Sequence, residues 1–358
     1  KQLITDKALM ALVAGLFAVG LVALYSAGGE DRFWRQLWRG VAGIVAMFAL
    51  SFLPPRGQRA AAVVFFAVGI IALLAVLVFG VKINNARRWL SFGNYNVQPS
   101  EFMKIALPLG LAFLYALTAS AKAAIGGGRH LLFLLITAVI AGLVAMQPDL
   151  GTAIILAGTG AATVFFGGIG WRWITALSFA ALMSLPLAWR FVLKEYQKTR
   201  IETLFDPYQD ALGSGYHTIQ SQIAIGSGGV WGKGFQAGTQ AQLGFLPERH
   251  TDFIFAVYAE EFGLAGAALL VALAVLLFLR CLRIAGRAPD MFGRLAVAGI
   301  AAGFFLTFIV NLCMVSGLLP VVGMPLPLVS YGGTSLLTTF FGFGIVLAVA
   351  RKTRRQGG

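Results

Sequence analysis

Charge is what this sequence has least of. Only 12% of its 358 residues are Asp, Glu, Lys or Arg, where a soluble domain usually carries about 25%. Acid is scarcer than base, with 14 Asp and Glu against 28 Lys and Arg. There are two cysteines, Cys281 and Cys313, both near or inside apolar runs, so no disulfide framework holds the chain. The in–out alternation of a β-barrel is missing. No cleavable signal peptide is expected, because the first apolar run is long and lacks a small-residue cleavage site before a soluble domain. These absences argue against a soluble enzyme, a secreted scaffold and an outer-membrane barrel.

What fills the chain is apolar: 58% of residues are hydrophobic. They fall into about ten runs, near 8–28, 38–54, 60–80, 100–119, 130–147, 150–168, 172–192, 253–279, 293–316 and 332–350. Each is roughly long enough to cross a bilayer as a helix. The expected fold is all-α, a polytopic membrane protein in one integral domain over 1–358. One long connection, 193–252 between spans seven and eight, is expected to be an ordered, partly helical extracytoplasmic loop.

The distribution of charge gives the orientation. Lys1, Lys7, Arg56, Arg59, Lys122, Arg129, Arg172, Arg280, Arg283, Arg287, Arg351, Lys352, Arg354 and Arg355 fall on one side of the alternating spans. By the positive-inside rule that side is cytoplasmic, and both termini lie there. The net charge of +14 is then a topology signal with an attraction to anionic membrane lipids, and no nucleic acid is implied. Acids are distributed the other way: only Asp6 and Asp290 are clearly cytoplasmic. Carboxylate chemistry is therefore expected at the outer face.

One stretch concentrates it. Residues 236–263, QAGTQAQLGFLPERHTDFIFAVYAEEFG, hold Glu248, Asp252, Glu260 and Glu261 with Arg249 and His250. Asp252 opens a span, either as a helix cap or as a reactive carboxylate. Glu260 and Glu261 lie about 12 Å further along the helix. They need a partner or a proton, and Lys104 is one possible partner.

Elsewhere Glu101 and Lys104 sit at i and i+3, as a self-neutralised pair or as the polar wall of a site. In MQPDLGTA, Pro148 breaks a helix, and Asp149 either caps the next one or serves a site. Arg87 and Arg88 precede Trp89, as interfacial cations or anion contacts. GSGGVWGKG is not a phosphate loop, since Ser227 stands where its first glycine belongs and Gly234 follows Lys233. Its amides and Lys233 remain a candidate for another phosphate. Pro320, Pro325, Ser330, Gly332 and Gly333 interrupt the run before the last span, as a cavity wall, a gate or a plain loop.

Together these stretches resemble the SEDS (shape, elongation, division and sporulation) family along essentially the whole chain. IAIGSGGVWGKG, GTQAQLGFLPERHTDFIFAVYAEEFG and GLLPVVGMPLPLVSYGGTS carry the resemblance. GYHTIQSQIAIGSGG and GTQ…PERHTDF are similar to its elongation-type members. Ala211 replaces a common proline and Thr334 a common serine, neither at a charged position. The resemblance implies an inverting peptidoglycan glycosyltransferase of the bacterial cytoplasmic membrane that polymerises lipid II for cell elongation and rod shape. It implies a class B penicillin-binding protein as transpeptidase partner. It implies Asp252 as catalytic carboxylate, with Glu101, Lys104 and Asp149 supporting the site.

Such a reaction needs a general base for the acceptor hydroxyl. It also needs cations for the departing pyrophosphate, for which Arg200, Lys233, Arg249 or a divalent ion (Mg2+ or Mn2+) are candidates; no organic cofactor is expected. Two other readings stand beside it. One is a lipid II flippase with Glu260 and Glu261 as a proton relay, and the other is a non-catalytic cell-wall scaffold.

Overall fold

The computed structural model describes residues 6–83, 86–93, 95–118, 127–193, 195–210 and 214–356. Lys1, Lys122 and Ala211 lie outside them. All ten apolar runs are helical: α1 (Lys7–Gly28), α2 (Glu30–Ser51), α3 (Pro55–Phe79), α4 (Pro99–Thr118), α5 (Gly127–Met146), α6 (Leu150–Phe166), α7 (Trp171–Leu187), α11 (Ile254–Arg287), α12 (Met291–Val315) and α13 (Thr334–Gln356). Among the described residues, seven helices are long and apolar enough to cross a membrane. α6 is apolar but has only 17 residues. α2 starts eight residues before the expected run, with Glu30, Asp31, Arg32 and Arg35 in its first turns. Gly29, at φ 77°, allows the sharp turn that separates it from α1.

The described residues of the 193–252 connection are partly helical. It carries α8 (Glu195–Phe205), a 3₁₀ turn (Pro207–Asp210), α9 (Ser214–Ser227) and the single turn α10 (Thr239–Gln242). One element goes beyond the all-helical expectation. Residues 81–97 form a small antiparallel sheet of β1 (Val81–Ile83), β2 (Ala86–Phe92) and β3 (Tyr95–Val97), paired in that order. Val81 faces Trp89 across the first pair, and Leu90 faces Val97 across the second.

α12 is the axis of the bundle and packs on α4, α6, α11 and α13. Small residues bring the helices close. A side chain at Gly299 would strike Thr163 of α6 and Pro108 of α4, and one at Gly303 would press on Thr159. At the rim, Gly20 of α1 lets the 328–329 backbone lie directly against it.

α11 is not one continuous helix. Gly263, at φ 64° and ψ −163°, interrupts it. The 229–234 loop supplies the missing hydrogen bonds. Lys233 N and Gly234 N donate to the carbonyls of Glu260 and Glu261, while Leu264 N and Ala265 N donate to Gly229 O and Val230 O. No side chain fits at Gly263, because its Cβ would meet the Gly232 amide and the Val230 carbonyl. The glycine-rich run is thus a clasp around a helix break. The piece of α11 before the break, residues 254–262, is short and firmly held, and Asp252 stands just before it.

Candidate functional site

Asp252 lies two residues before α11 and is half-buried. Its side chain does not cap the helix: Phe253 takes the cap position, and no side-chain bond is made there. Its carbonyl is held instead, accepting from Asn311 Nδ2 of α12 at 2.9 Å. The same amide nitrogen donates to Met324 O at 2.6 Å, which ties α12, the 316–333 segment and Asp252 together. Gly323 keeps the space beside the carboxylate open, since a Cβ there would begin 3.4 Å from Oδ2.

The residues after Met324 form a strap over 250–252. Ser330 Oγ donates to Thr251 O at 2.6 Å and accepts from Leu326 N at 2.7 Å. Tyr331 N donates to His250 O at 3.0 Å. Gln36 of α2 clamps the strap from outside, donating to Ser330 O at 2.9 Å and accepting from Gly332 N at 3.3 Å. Arg39 lies over the Tyr331 ring at 5.0 Å. Gly333 follows, close to the Arg39 guanidinium. Ser330, Gly332 and Gly333 therefore belong to the support of the Asp252 segment.

Two polar pairs stand near Asp252. In the first turn of α4, Lys104 Nζ is 2.6 Å from Glu101 Oε1, with both side chains largely buried. This pair opens into a cavity of about 420 Å³, mouth included, walled by Ile300, Phe304, Ser335, Thr338 and Phe343 among others. Asp149 caps α6 through Thr152 N at 3.3 Å and also accepts from Gln98 Nε2 at 3.0 Å. Arg88 of β2 reaches it at 3.7 Å and donates to the Gln147 and Pro148 carbonyls. The small sheet thus delivers a cation to the site.

Burial pushes the Asp252 carboxyl up to about 7, aided by the negative charges of Glu248, Glu101 and Asp149 and opposed by Arg88. A carboxylate so placed is a poised proton acceptor at neutral pH. His250 is held below its ordinary value by burial and by Arg32 and Arg249, against Glu248; it is a neutral ring at the edge of the site. Glu248 is exposed and accepts from Thr251 Oγ1 at 2.9 Å.

Other expected residues are placed elsewhere. Lys233 is 2.7 Å from the fully buried Glu260, which also accepts from Thr239 Oγ1 and Gln240 N. Its ammonium donates to that carboxylate and to Thr239 Oγ1. Glu261 is bonded to Ser26 of α1. The partners of these two acids are therefore Lys233 and Ser26, and Lys104 is taken by Glu101. Arg200 lines a second cleft with His217, Leu319, Pro320 and Val321. Pro325 lies next to Met324, inside the strap. Sequence reasoning gave no role to Gln36, Gln98 and Asn311. Asn311 did carry a signal, an amide in an otherwise apolar span.

No group of three or more His, Cys, Asp or Glu that could hold a metal occurs among the described residues. Glu101 and Asp149 are committed to Lys104 and Arg88. A divalent cation needs only one or two carboxylates when a substrate's phosphates supply the other ligands. Asp252 and Glu248 are the carboxylates at this site without an ion-pair partner among the described residues.

The fold and the site define a polytopic helical membrane protein with a buried carboxylate centre where the helices reach one surface. A family model described as a cell cycle protein, covering FtsW, RodA and SpoVE, matches residues 6–355. The peptidoglycan glycosyltransferase MrdB of Escherichia coli (strain K12) is 43% identical over 346 residues, covering 96% of this chain and 93% of that one. The probable peptidoglycan glycosyltransferase FtsW of Trichlorobacter lovleyi is 35% identical, with 96% and 93% covered. Among solved structures, a chain from a peptidoglycan synthase complex that coordinates polymerisation and crosslinking superposes with a TM-score of 0.84 at 36% identity, over 98% of this chain and 99% of that one. The rod shape determining protein RodA of Thermus thermophilus does so at 0.73 and 31%, with 98% of each chain covered. This chain belongs to the SEDS family.

Proposed function

We propose that this protein is a peptidoglycan glycosyltransferase of cell elongation, with lipid II as donor, a growing glycan as acceptor and Asp252 as general base. The observation that carries the reading is the setting of Asp252: a carboxylate free of capping duty, fixed through its backbone by Asn311 and the 324–332 strap, beside the Glu101–Lys104 and Asp149–Arg88 pairs, with its carboxyl raised to about 7. The acceptor hydroxyl must lose a proton as it attacks the sugar carbon that bears the pyrophosphate. A base matched to neutral pH contributes roughly 10²–10⁴-fold to such a step. Direct attack inverts the sugar carbon, and no covalent enzyme intermediate is needed.

Arg88 is the cation best placed to meet negative charge at the site. Lys104 is paired with Glu101 at the edge of the cavity, a neutral pair that can hydrogen-bond substrate. A divalent cation held by Glu248 and the pyrophosphate would add charge stabilisation to the departing group and leave Asp252 free as the base.

Other parts of the reading are a bacterial inner-membrane location, cytoplasmic termini and a class B penicillin-binding protein as crosslinking partner. The first two rest on the loop charges. The third rests on likeness to a chain of a synthase complex. The flippase reading is weakened at Glu260, which is paired with Lys233.

The test is a product gel with fluorescent lipid II and a divalent cation, partner included. A glycan ladder from wild type that is missing with Asp252→Asn supports the assignment. An unchanged ladder from a folded variant removes Asp252 from the chemistry, and no ladder under any condition removes the polymerase reading.

A further inference from the structure

The end of α11 opposite Asp252 carries a charged feature that glycan chemistry does not use. Arg280, Arg283 and Arg287 follow at i, i+3 and i+7, so they project from one side of the helix. With Asp6, Ile284, Ala350 and Thr353 they line a cleft between the end of α11, the start of α1 and the end of α13. It encloses about 320 Å³, mouth included. Ile284 and Ala350, both buried, make its floor.

The charges in this cleft do not balance. Asp6 is taken by Arg280 through two contacts, 3.1 Å from Nε and 2.5 Å from a terminal nitrogen. Asp6 also caps α1 through Leu9 N at 3.0 Å. Asp290, the other acid at this end, is shared by Arg59 at 3.0 Å and Lys352 at 3.1 Å. Arg351 lies over the Phe52 ring at 4.1 Å. Arg283 and Arg287 are left exposed, with no acidic partner among the described residues. Among the described residues, no acid remains at this cleft to receive a second cation.

The same side of α11 changes character toward the middle of the bundle. Leu276 and Leu279, both exposed, precede Arg283 by seven and four residues, which sets them on its face. An apolar stripe therefore runs directly into two unanswered guanidinium groups. The positive-inside rule accounts for cations at this end. It does not account for their alignment below an exposed apolar stripe and around a cleft. The pattern matches one ligand shape, acyl chain above and phosphate below.

We infer that this cleft binds an anionic glycerophospholipid, with Arg283 and Arg287 donating to its phosphate and Leu276 and Leu279 taking an acyl chain. Guanidinium groups suit phosphate because their planar N–H donors match two oxygens at once. The lack of a free carboxylate disfavours a zwitterionic choline headgroup. The inference is independent of the polymerase reading.

The experiment is native mass spectrometry of the full chain in detergent, titrated with phosphatidylglycerol and with phosphatidylcholine of the same acyl chains. Wild type should bind phosphatidylglycerol on the order of ten-fold more tightly, from about two surface cation contacts. Arg283→Gln with Arg287→Gln should abolish that preference while leaving phosphatidylcholine binding, which reports folding, unchanged. Arg56→Gln, exposed at the same end, should keep the preference. Millimolar glycerol phosphate should not displace the lipid. Equal binding of the two lipids, an unaffected double variant or an equal loss in Arg56→Gln would overturn the inference, the last by showing diffuse attraction. Displacement by glycerol phosphate would overturn it too, in favour of a small-anion site.

Discussion

Asp252→Asn should make the protein inactive and more stable at once. The wild-type carboxyl is raised from 3.8 to about 7, by burial first and then by Glu248, Glu101 and Asp149. A rise of that size is worth on the order of 4 kcal/mol, and roughly 2 to 4 kcal/mol once solvent screening of a half-buried group is allowed for. The sign follows from proton binding. Between about pH 4 and pH 7 the folded state holds the Asp252 proton and the unfolded chain does not, so stability falls as pH rises through that window. Above it the full cost is present, and below it none is. Asparagine keeps the shape and has no proton to lose. The variant's advantage should be near zero at pH 4 and at pH 8 about 2.5 times its value at pH 5.

The assay is thermal unfolding in detergent, followed with a thiol-reactive dye that reads exposure of the buried Cys281. A gap of a few degrees in favour of the variant is expected at pH 8. Equal midpoints at pH 8, or a gap as large at pH 5, would refute the claim that burial holds this proton.

Arg88→Gln removes a cation that lowers the Asp252 carboxyl, so the pH midpoint of polymerisation should move to the alkaline side with its single-proton slope intact. Lys233→Met leaves Glu260 buried and unpaired, a cost of about 3–5 kcal/mol. Size-exclusion chromatography should show little folded protein, and adding Glu260→Gln should restore much of it. Ser330→Ala cuts the bonds to Thr251 O and Leu326 N, about 1–3 kcal/mol of strap support. Steady-state polymerisation should show a lower kcat with little change in KM.

The helices were legible because each is a long apolar run, and such a run in a membrane protein has few alternatives to a helix. The start of α2 was not, since Glu30, Asp31, Arg32 and Arg35 read as a loop until Gly29 makes the turn. The small sheet was hidden too, because strands of three to seven residues carry little periodic signal. At the site, Asp252, Glu101, Lys104 and Asp149 stood out as rare charges in apolar surroundings. Their pairings were only partly readable. Glu101 and Lys104 are neighbours on one helix, but Glu260 with Lys233, Asp149 with Arg88 and Glu261 with Ser26 join residues 27, 61 and 235 positions apart. Spacing on a single helix predicts the first kind of contact. Only packing creates the second, and it moved Lys233 from the expected phosphate contacts to the clasp around Gly263.

The central claim is that Asp252 removes a proton during glycan polymerisation. Its most direct test is the initial rate of polymerisation of fluorescent lipid II between pH 5.5 and 8.5, on the wild-type protein with its partner. Loss of one proton near pH 7 should raise the rate about ten-fold per pH unit below the midpoint and then level it. A rate that is flat across this range, or that falls as pH rises through 7, would contradict the account.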